Sequence, residues 1–290
     1  MCGMYGVIGQ GILKFDIDIF YELGVANLLR GVDASGIIFG NTRDENRALN
    51  IYKQTGDYLA LNYKVEGRES ISKEFENISN TLYLGHNRHT TVGSDIADAA
   101  HPYSFPSFIG MHNGTIHSDH IRDHVSENDG KDKKLLTDSQ VLMSLIEKDG
   151  LDQTLCGLND AKDAYSIVLW LKKKKRIQFI RNSKRPMCFA VNEKRGVMYY
   201  SSEEGALDYI LGRNGVEYKK YEPDVRTVFE VDPLRIDMNG LRSWTNFDLG
   251  PTTYVAPPVV ASGTKYFVYK SNIRTEVSKE EYDNTPFTTN

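Results

Sequence analysis

The sequence has few cysteines and no long apolar run, and each shortage removes a class of protein. The three cysteines, Cys2, Cys156 and Cys188, are too few and odd in number for a disulfide scaffold, and they fit a reducing compartment. No CxxC pair or Cys/His cluster has the spacing of a zinc site. No stretch approaches the ~20 apolar residues of a membrane span, and the N-terminus lacks the basic region of a signal peptide. We therefore expect a cytoplasmic protein.

An excess of positive charge is also lacking. The formal net charge is -4 over 290 residues, which gives no general attraction to nucleic acid or to an anionic membrane. We find no nucleic-acid-binding motif, so we expect neither of these partners. The chain is long enough for one large domain or two small ones, and its 40% hydrophobic content is ordinary for a globular protein.

Periodicity predicts many strands and a few amphipathic helices. The predicted strands cover residues 2–9, 35–40, 51–53, 81–86, 108–112, 165–171, 176–180, 187–191, 197–201 and 225–231. The predicted helices cover residues 16–31, with Leu29 on the apolar face, 138–148, capped by Thr137 or Asp138, and 203–211. Residues 87–102 are predicted as a polar loop, Asn113-Gly114 as a turn, and Lys172 to Lys175 as a solvated hairpin turn. The pattern favours a layered α/β architecture without fixing its topology.

The last part of the chain lacks this regular pattern of hydrophobic residues. From about Trp244 it carries Pro251, Pro257, Pro258 and Pro286 among many threonines. We expect an appended arm or partly disordered tail over residues 244–290, following a domain over residues 2–243.

Cys2 directly follows the initiator methionine, a position with its own chemistry. Removal of Met1 would place a free α-amine beside the thiol, and an amine of pKa near ~7.7–8.0 can act as the base for its own side chain. Cys2 could therefore be nucleophile and base together. Alternatively, it is a small buried residue at the end of a strand.

Five segments, in order along the chain, help to decide between these two interpretations of Cys2. They are CGMYGVIG (2–9), RGVDASG (30–36), GHNRHTTVG (85–93), HNGTI (112–116) and TDSQ (137–140). Together they resemble the class II glutamine amidotransferases, which are N-terminal nucleophile hydrolases, and the closest pattern is the glutaminase domain of glucosamine-6-phosphate synthase. Weaker likeness continues at residues 163–165, 181–183, 200–203 and 226–228, so the resemblance covers residues 2–243. Five motifs in order make a chance match improbable.

The resemblance implies a role for each matching residue. Cys2 would be the nucleophile, and Asn113, through its side-chain amide, and Gly114, through its backbone N–H, would stabilise the oxyanion. Arg88 would bind the substrate carboxylate and Asp138 the ammonium, whereas without the family they would be a surface charge and a helix cap. Thr91 and the backbone near His89 and Val92 would line the rest of the pocket. Arg30 would position the terminal cysteine.

The sequence departs from the family pattern at two positions. His89 stands where an aromatic residue is common, and Val92 where a histidine is common, which affects the shape and closure of the pocket. Three histidines, His89, His101 and His112, could suggest a Cys/His dyad. Because the terminal amine does that work in the family, we expect structural hydrogen bonds for them instead.

The resemblance also implies a fold and a reaction. The fold would be α+β, a four-layer α/β/β/α sandwich with two stacked, mostly antiparallel sheets. The enzyme would hydrolyse L-glutamine to L-glutamate and ammonia through a γ-glutamyl thioester, with no metal or organic cofactor, and a separate synthetase would use the ammonia. Two alternatives stay open: a stand-alone hydrolase of γ-glutamyl compounds, and a non-catalytic glutamine-binding or interaction module.

Overall fold

Two antiparallel sheets form the centre of the molecule. The computed structural model describes residues 2–44, 48–59, 75–90, 99–118 and 137–236, and the backbone of strands at 242–244, 266–270 and 273–277. The strands, in chain order, are β1 (Gly3–Gly9), β2 (Ala34–Gly40), β3 (Asn50–Thr55), β4 (Leu82–Arg88), β5 (Tyr103–Ser104), β6 (Phe108–Thr115), β7 (Ala164–Leu171), β8 (Arg176–Arg181), β9 (Cys188–Asn192), β10 (Val197–Ser201), β11 (Lys219–Tyr221), β12 (Val228–Val231), β13 (Arg242–Trp244), β14 (Tyr266–Lys270) and β15 (Ile273–Val277). The helices are α1 (Lys14–Ala26), α2 (Asp138–Asp149), α3 (Leu151–Cys156) and α4 (Glu204–Arg213), and a 3₁₀ helix (Asn27–Arg30) follows α1.

The strand order explains why the first and last thirds of the chain share a sheet. The nine-stranded sheet runs β15-β14-β11-β9-β10-β1-β4-β2-β3, and the six-stranded sheet runs β13-β12-β8-β7-β6-β5. In the larger sheet β1 lies between β10 and β4, so the N-terminal strand is central and both of its edges are paired.

Three hydrophobic cores separate four layers. Met4, Leu84 and Phe179 belong to the core between the two sheets. A second core joins α1 and α4 to the outer face of the nine-stranded sheet, and a third joins α2 and α3 to the outer face of the six-stranded sheet. This arrangement confirms the predicted four-layer α/β/β/α sandwich. No helix in the described ranges is long and apolar enough to cross a membrane.

The helix predicted for residues 16–31 is shorter than expected. Helix α1 ends at Ala26, and a 3₁₀ turn takes the chain from Asn27 to Arg30. Because a 3₁₀ helix has three residues per turn instead of 3.6, the apolar face is not continued. Leu29 was predicted to be buried on that face, but it is 94% exposed.

Two predictions near the ends of strands were wrong. Strand β4 continues through Arg88, which the sequence had placed in a polar loop. Asn113 and Gly114 are not a turn, because β6 runs on to Thr115 with Asn113 opposite Ser166 and Gly114 opposite Tyr165. In both cases cross-strand pairing overrides local turn propensity.

Other local predictions were confirmed. The run from Lys172 to Lys175 is the turn of the β7–β8 hairpin. Helix α2 begins at Asp138 and is capped by Thr137, whose side chain accepts a hydrogen bond from the Gln140 backbone N–H at 3.1 Å. The Gln140 side chain accepts in turn from the Thr137 N–H at 3.0 Å, which completes a capping box.

The segment predicted as an irregular tail contains regular structure. Strands β14 and β15 form an antiparallel hairpin, and Phe267 of β14 pairs with Lys220 of β11. The hairpin therefore extends the nine-stranded sheet. The predicted domain boundary after residue 243 stays a prediction.

Candidate active site

Strand alternation directs the predicted nucleophile into the layer between the sheets. In β1, Met4 and Ile8 lie in the inter-sheet core, whereas Tyr5 and Val7 pack on the helix side. Successive side chains of a strand point to opposite faces. Cys2, two residues before Met4, therefore continues the inter-sheet row.

The same alternation brings residues of both sheets to this layer. On β4, Arg88 lies four residues after Leu84 and so shares its face of the strand, and Leu84 lies in the inter-sheet core. On β6, Asn113 lies two residues after Met111 and so shares its face of the strand, and Met111 also lies in that core. The pairing of Met4 with His86 puts Cys2 and Arg88 at the same end of their strands. The inter-sheet layer thus ends in a thiol, a guanidinium and an amide.

The Cys2 thiol is enclosed by backbone. Cys2 is 8% exposed, and its Sγ accepts a hydrogen bond from the His89 N–H at 3.4 Å. Burial raises the pKa of the thiol above its ordinary value, while the His89 hydrogen bond and the positive charge of Arg88 act in the opposite direction. The site therefore desolvates the thiol and also supplies groups that favour its anion.

Arg30 contacts the main chain of Cys2. Its Nε donates to the Cys2 carbonyl at 2.8 Å, and its Nη1 forms an ion pair with Glu203. Arg30 is the last residue of the 3₁₀ turn after α1, so the early end of the helix sets the position of a side chain that contacts Cys2. The sequence did not single out Glu203 as a site residue.

Arg88 is buried beside a loop that Asp33 holds. The residue is 4% exposed, and its Nη1 donates to the Thr90 hydroxyl at 2.7 Å. The Asp33 carboxylate accepts from the Thr90 N–H at 2.7 Å, and the Asp33 N–H donates to the Arg88 carbonyl at 3.1 Å. Arg88 is therefore not the surface charge that its sequence alone suggests. Thr91 and Val92 lie outside the described residues.

Asn113 and Gly114 lie in a crowded part of β6. Both polar atoms of the Asn113 side chain are buried without a hydrogen bond to any described residue. A buried amide without a partner is costly, so it is available to a ligand. A Cβ on Gly114 would lie 1.8 Å from the Ala164 carbonyl oxygen, so no larger residue fits there.

Asp138 is tied to the end of the same strand. It is the first residue of α2, and its Oδ2 accepts from the Ile116 N–H at 2.9 Å, one residue after β6 ends. Its negative charge acts on the Cys2 thiol, which places both in one electrostatic environment.

Two residues that sequence reasoning missed also belong to this environment. Tyr103 donates to the Ala99 carbonyl at 2.8 Å, burial raises its pKa to about 12, and the charges of Arg88 and Asp138 act on it. Ser166 is fully buried opposite Asn113, and its hydroxyl has no partner among the described residues. Neither position had a local sequence signal, because only the sheet pairing brings it to the site.

The histidines divide into three situations. His112 Nδ1 lies 2.8 Å from the Ser139 hydroxyl, as expected for a structural hydrogen bond. His89 is partly exposed, with Nδ1 3.4 Å from the Asp33 carboxylate. The expectation was wrong for His101, whose ring stacks on His86 at a centroid distance of 4.0 Å without a hydrogen bond to a described residue.

Comparison with known proteins identifies sequence relatives. No family model matches the chain. Glutamine–fructose-6-phosphate aminotransferase (isomerizing) of Streptococcus pyogenes serotype M3 is 30% identical over 172 residues, which cover 58% of this chain and 25% of the relative. The enzyme of the same name from Lactococcus lactis subsp. lactis is 28% identical over 204 residues, 67% of this chain and 31% of the relative. The chain therefore spans roughly a quarter to a third of the length of these relatives.

Solved structures share the fold. Glutamine phosphoribosylpyrophosphate (PRPP) amidotransferase from B. subtilis, complexed with ADP and GMP, matches with a TM-score of 0.59 and 20% identity, over 84% of this chain and 49% of that one. A structure described as the allosteric regulatory enzyme of purine biosynthesis matches with a TM-score of 0.61, also at 20% identity and with the same coverage of both chains. At this identity the likeness establishes the arrangement of sheets and helices.

Proposed function

We propose that this chain, a homologue of the class II glutamine amidotransferases with their N-terminal nucleophile hydrolase fold, hydrolyses L-glutamine to L-glutamate and ammonia. The observation that carries the proposal is the buried Cys2 thiol, on which the charges of Arg88 and Asp138 both act. The buried amide of Asn113, which has no hydrogen bond to a described residue, supports it from the facing strand β6. The cation and the carboxylate suit the α-carboxylate and the α-ammonium of glutamine. The thiol and the Asn113 amide suit its side-chain amide.

Binding of glutamine uses the two charged residues. The Arg88 guanidinium pairs with the α-carboxylate, and the Asp138 carboxylate pairs with the α-ammonium. Both charges of the substrate must be paired because an isolated buried charge is costly. The family resemblance assigns Thr91 and the backbone near His89 and Val92 to the rest of the pocket, and Thr91 and Val92 lie outside the described residues. Arg30 holds the Cys2 carbonyl, so that the thiol faces the substrate amide.

The chemistry proceeds in two steps on Cys2. After removal of Met1, the α-amine of Cys2 takes the thiol proton, and the thiolate attacks the side-chain amide carbon. The Asn113 amide and the Gly114 N–H stabilise the resulting oxyanion. The tetrahedral intermediate collapses, the amine returns the proton to the leaving nitrogen, and ammonia departs from a γ-glutamyl thioester. Water, deprotonated by the same amine, then attacks the thioester carbonyl carbon. The C–S bond breaks, glutamate is released, and the Cys2 thiolate takes the proton back from the amine. No metal or organic cofactor is needed for these reaction steps.

A direct assay tests the proposal. Glutamate and ammonia should appear in equal amounts from glutamine, and Cys2→Ala should abolish both while leaving the fold intact by circular dichroism. Glutamine binding without turnover by the Met1-free protein would instead favour the non-catalytic module. A panel of γ-glutamyl peptides in the same assay would identify the stand-alone hydrolase if those peptides were cleaved faster than glutamine.

We also propose that a separate synthetase receives the ammonia. Ammonia is mostly protonated, and so not nucleophilic, near neutral pH, which favours direct transfer to a shielded acceptor site. The region from residue 244 onward is the candidate docking element, because its aromatic residues are of the kind enriched in interface cores.

Affinity capture from cells of the source tests this second proposal. Baits would be the full chain and a chain ending at Arg242. Each is first shown to be folded and active on glutamine, because the shorter chain lacks most of β13 and all of β14 and β15. Recovery of one synthetase by the full chain only would support docking through this region. Recovery of none, together with fast turnover of γ-glutamyl peptides, would contradict it.

A further inference from the structure

The two sheets carry different parts of the proposed site. Arg88 belongs to the nine-stranded sheet and Cys2 immediately precedes its strand β1, whereas Asn113 and Gly114 belong to the six-stranded sheet. Catalytic groups must be held within about 0.5 Å of their productive geometry. Between the sheets most contacts are apolar, and apolar contacts are not directional. The relative position of the two halves therefore calls for a directional link near the site.

His86 makes such a link. It lies on β4, two residues before Arg88, and it shares the inter-sheet face of the strand. Its Nε2 lies 3.0 Å from the backbone carbonyl oxygen of His112 on β6. A carbonyl can only accept, so Nε2 carries the proton and donates. The accepting carbonyl belongs to the peptide that joins His112 to Asn113.

The His112–Asn113 peptide is anchored on its other side as well. The His112 side chain contacts the Ser139 hydroxyl at 2.8 Å, which ties this part of β6 to the first turn of α2 next to Asp138. His86 is fully buried, and burial lowers its pKa to about 3, so the ring is a neutral donor at neutral pH. The peptide before the oxyanion donors is thus fixed from both faces of the sheet.

We infer that His86 is a positioning residue for the oxyanion hole: by holding the carbonyl of His112, it sets Asn113 and the Gly114 N–H at the right distance from Cys2. This inference rests on the proposed glutaminase function. It assigns to His86 an effect on transition-state stabilisation, exerted through Asn113 and Gly114, without contact with the substrate.

Two substitutions of His86 separate the hydrogen bond from the space that the ring fills. His86→Phe keeps a ring but cannot donate, and it should lower kcat by about 10–100-fold with KM changed less than twofold, a smaller loss than the ~10²–10³ for removing an oxyanion donor itself. His86→Gln places an amide N–H near the position of Nε2 and should recover most of kcat. Tyr200→Phe removes a buried hydroxyl of the inter-sheet core that has no hydrogen bond to a described residue, so it is the control and should keep kcat within twofold.

A double-mutant cycle shows whether His86 acts through Asn113. If it does, adding His86→Phe to Asn113→Ala should lower kcat much less than it does in the wild-type background. Fully additive losses, no recovery in His86→Gln, or an equal loss in Tyr200→Phe would each overturn the inference and leave a general packing role.

A last measurement does not depend on turnover. In the wild-type protein, ¹⁵N chemical shifts of the His86 ring should place its proton on Nε2, and a proton on Nδ1 alone would overturn the inference even if glutamine were not hydrolysed. Failure of the proposed function has a different signature. In that case the wild type and Cys2→Ala would be equally inactive, with the Nε2 proton still observed.

Discussion

At the scale of single residues, the environment of Cys2 presents a conflict. Burial raises the pKa of its thiol, so the thiolate needed for attack is disfavoured at neutral pH. The His89 N–H and Arg88 act against this effect but belong to the fixed surroundings. An α-amine on Cys2 itself would supply both a base and, once protonated, a neighbouring positive charge. The proposed mechanism therefore depends on the loss of Met1.

We expect a chain that retains Met1 to be nearly inactive. Its amine would be displaced from the thiol, and the Cys2 nitrogen would be an amide with no basicity. Protein produced with methionine aminopeptidase inhibited, then treated with that peptidase, should gain glutaminase activity in proportion to the Met1-free fraction in intact-mass spectra. An active preparation in which every molecule retains Met1 would refute this.

Asn113 and Arg88 should affect different kinetic constants. Asn113 would stabilise charge that exists only in the transition state, so Asn113→Ala should lower kcat by about 10²–10³-fold with little change in KM. Arg88 would hold a carboxylate present throughout, so Arg88→Ala should chiefly raise KM. Steady-state kinetics on glutamine checks both, and wild-type kcat in the Asn113 variant would remove it from the oxyanion hole.

At the scale of elements, the turn after α1 connects the helix to the site. The 3₁₀ helix ends at Arg30, and Gly31 then passes close to the peptide that joins Arg88 to His89. A Cβ on Gly31 would lie 2.3 Å from the Arg88 carbonyl carbon and 2.6 Å from the His89 nitrogen. This nitrogen is the donor to the Cys2 thiol. Glycine is therefore required by close packing against backbone that serves the site.

Gly31→Ala should damage stability and substrate binding together. Forcing a methyl group into this contact costs about 1–3 kcal/mol and moves the Arg88–His89 peptide. We expect a lower Tm in calorimetry and a higher KM for glutamine. Gly205→Ala is a matched control in α4, where a Cβ meets no atom within 4 Å, and it should leave KM unchanged. An unchanged KM in Gly31→Ala would show that the loop absorbs the methyl group.

At the scale of the whole molecule, three buried histidines link stability to pH. His86, His101 and His112 are buried, and burial lowers the pKa of each below its ordinary value of 6.5. In the unfolded chain they would take up protons below about pH 6.5, whereas in the folded chain they stay neutral. Their contribution to stability is therefore complete above that pH and is lost as the pH falls.

We expect Tm to fall between pH 7.5 and pH 5.5. Each histidine that stays neutral in the folded state contributes a slope of up to about 1.4 kcal/mol per pH unit below its unfolded pKa. Calorimetry over this range measures the slope, and His101→Phe should reduce it by removing one of the three groups. A Tm that does not change over this range would mean that the folded protein also binds these protons.

The sequence by itself determined the chemical inventory and most local structure. The order of the five motifs identified Cys2, Arg88, Asn113 and Asp138 as the candidate site. Hydrophobic patterns located the body of the strands and the start of α2 near Thr137 and Asp138, although Arg88 and Asn113 were expected in a loop and a turn. These features could be predicted because each depends on residues within one turn of helix or one stretch of strand.

Only the tertiary structure decided which neighbours those residues have. In the folded protein Arg88 is buried and Leu29 is exposed. Asn113 and Gly114 stay in a strand, with Ser166 opposite Asn113. His86 forms a hydrogen bond to the six-stranded sheet. The tertiary structure also paired the hairpin of residues 266–277 with β11. Each of these outcomes depends on strand pairing or sheet stacking between distant segments. A local pattern does not contain that information, because the burial of a side chain and the pairing of a backbone group are set by whichever segment packs against them.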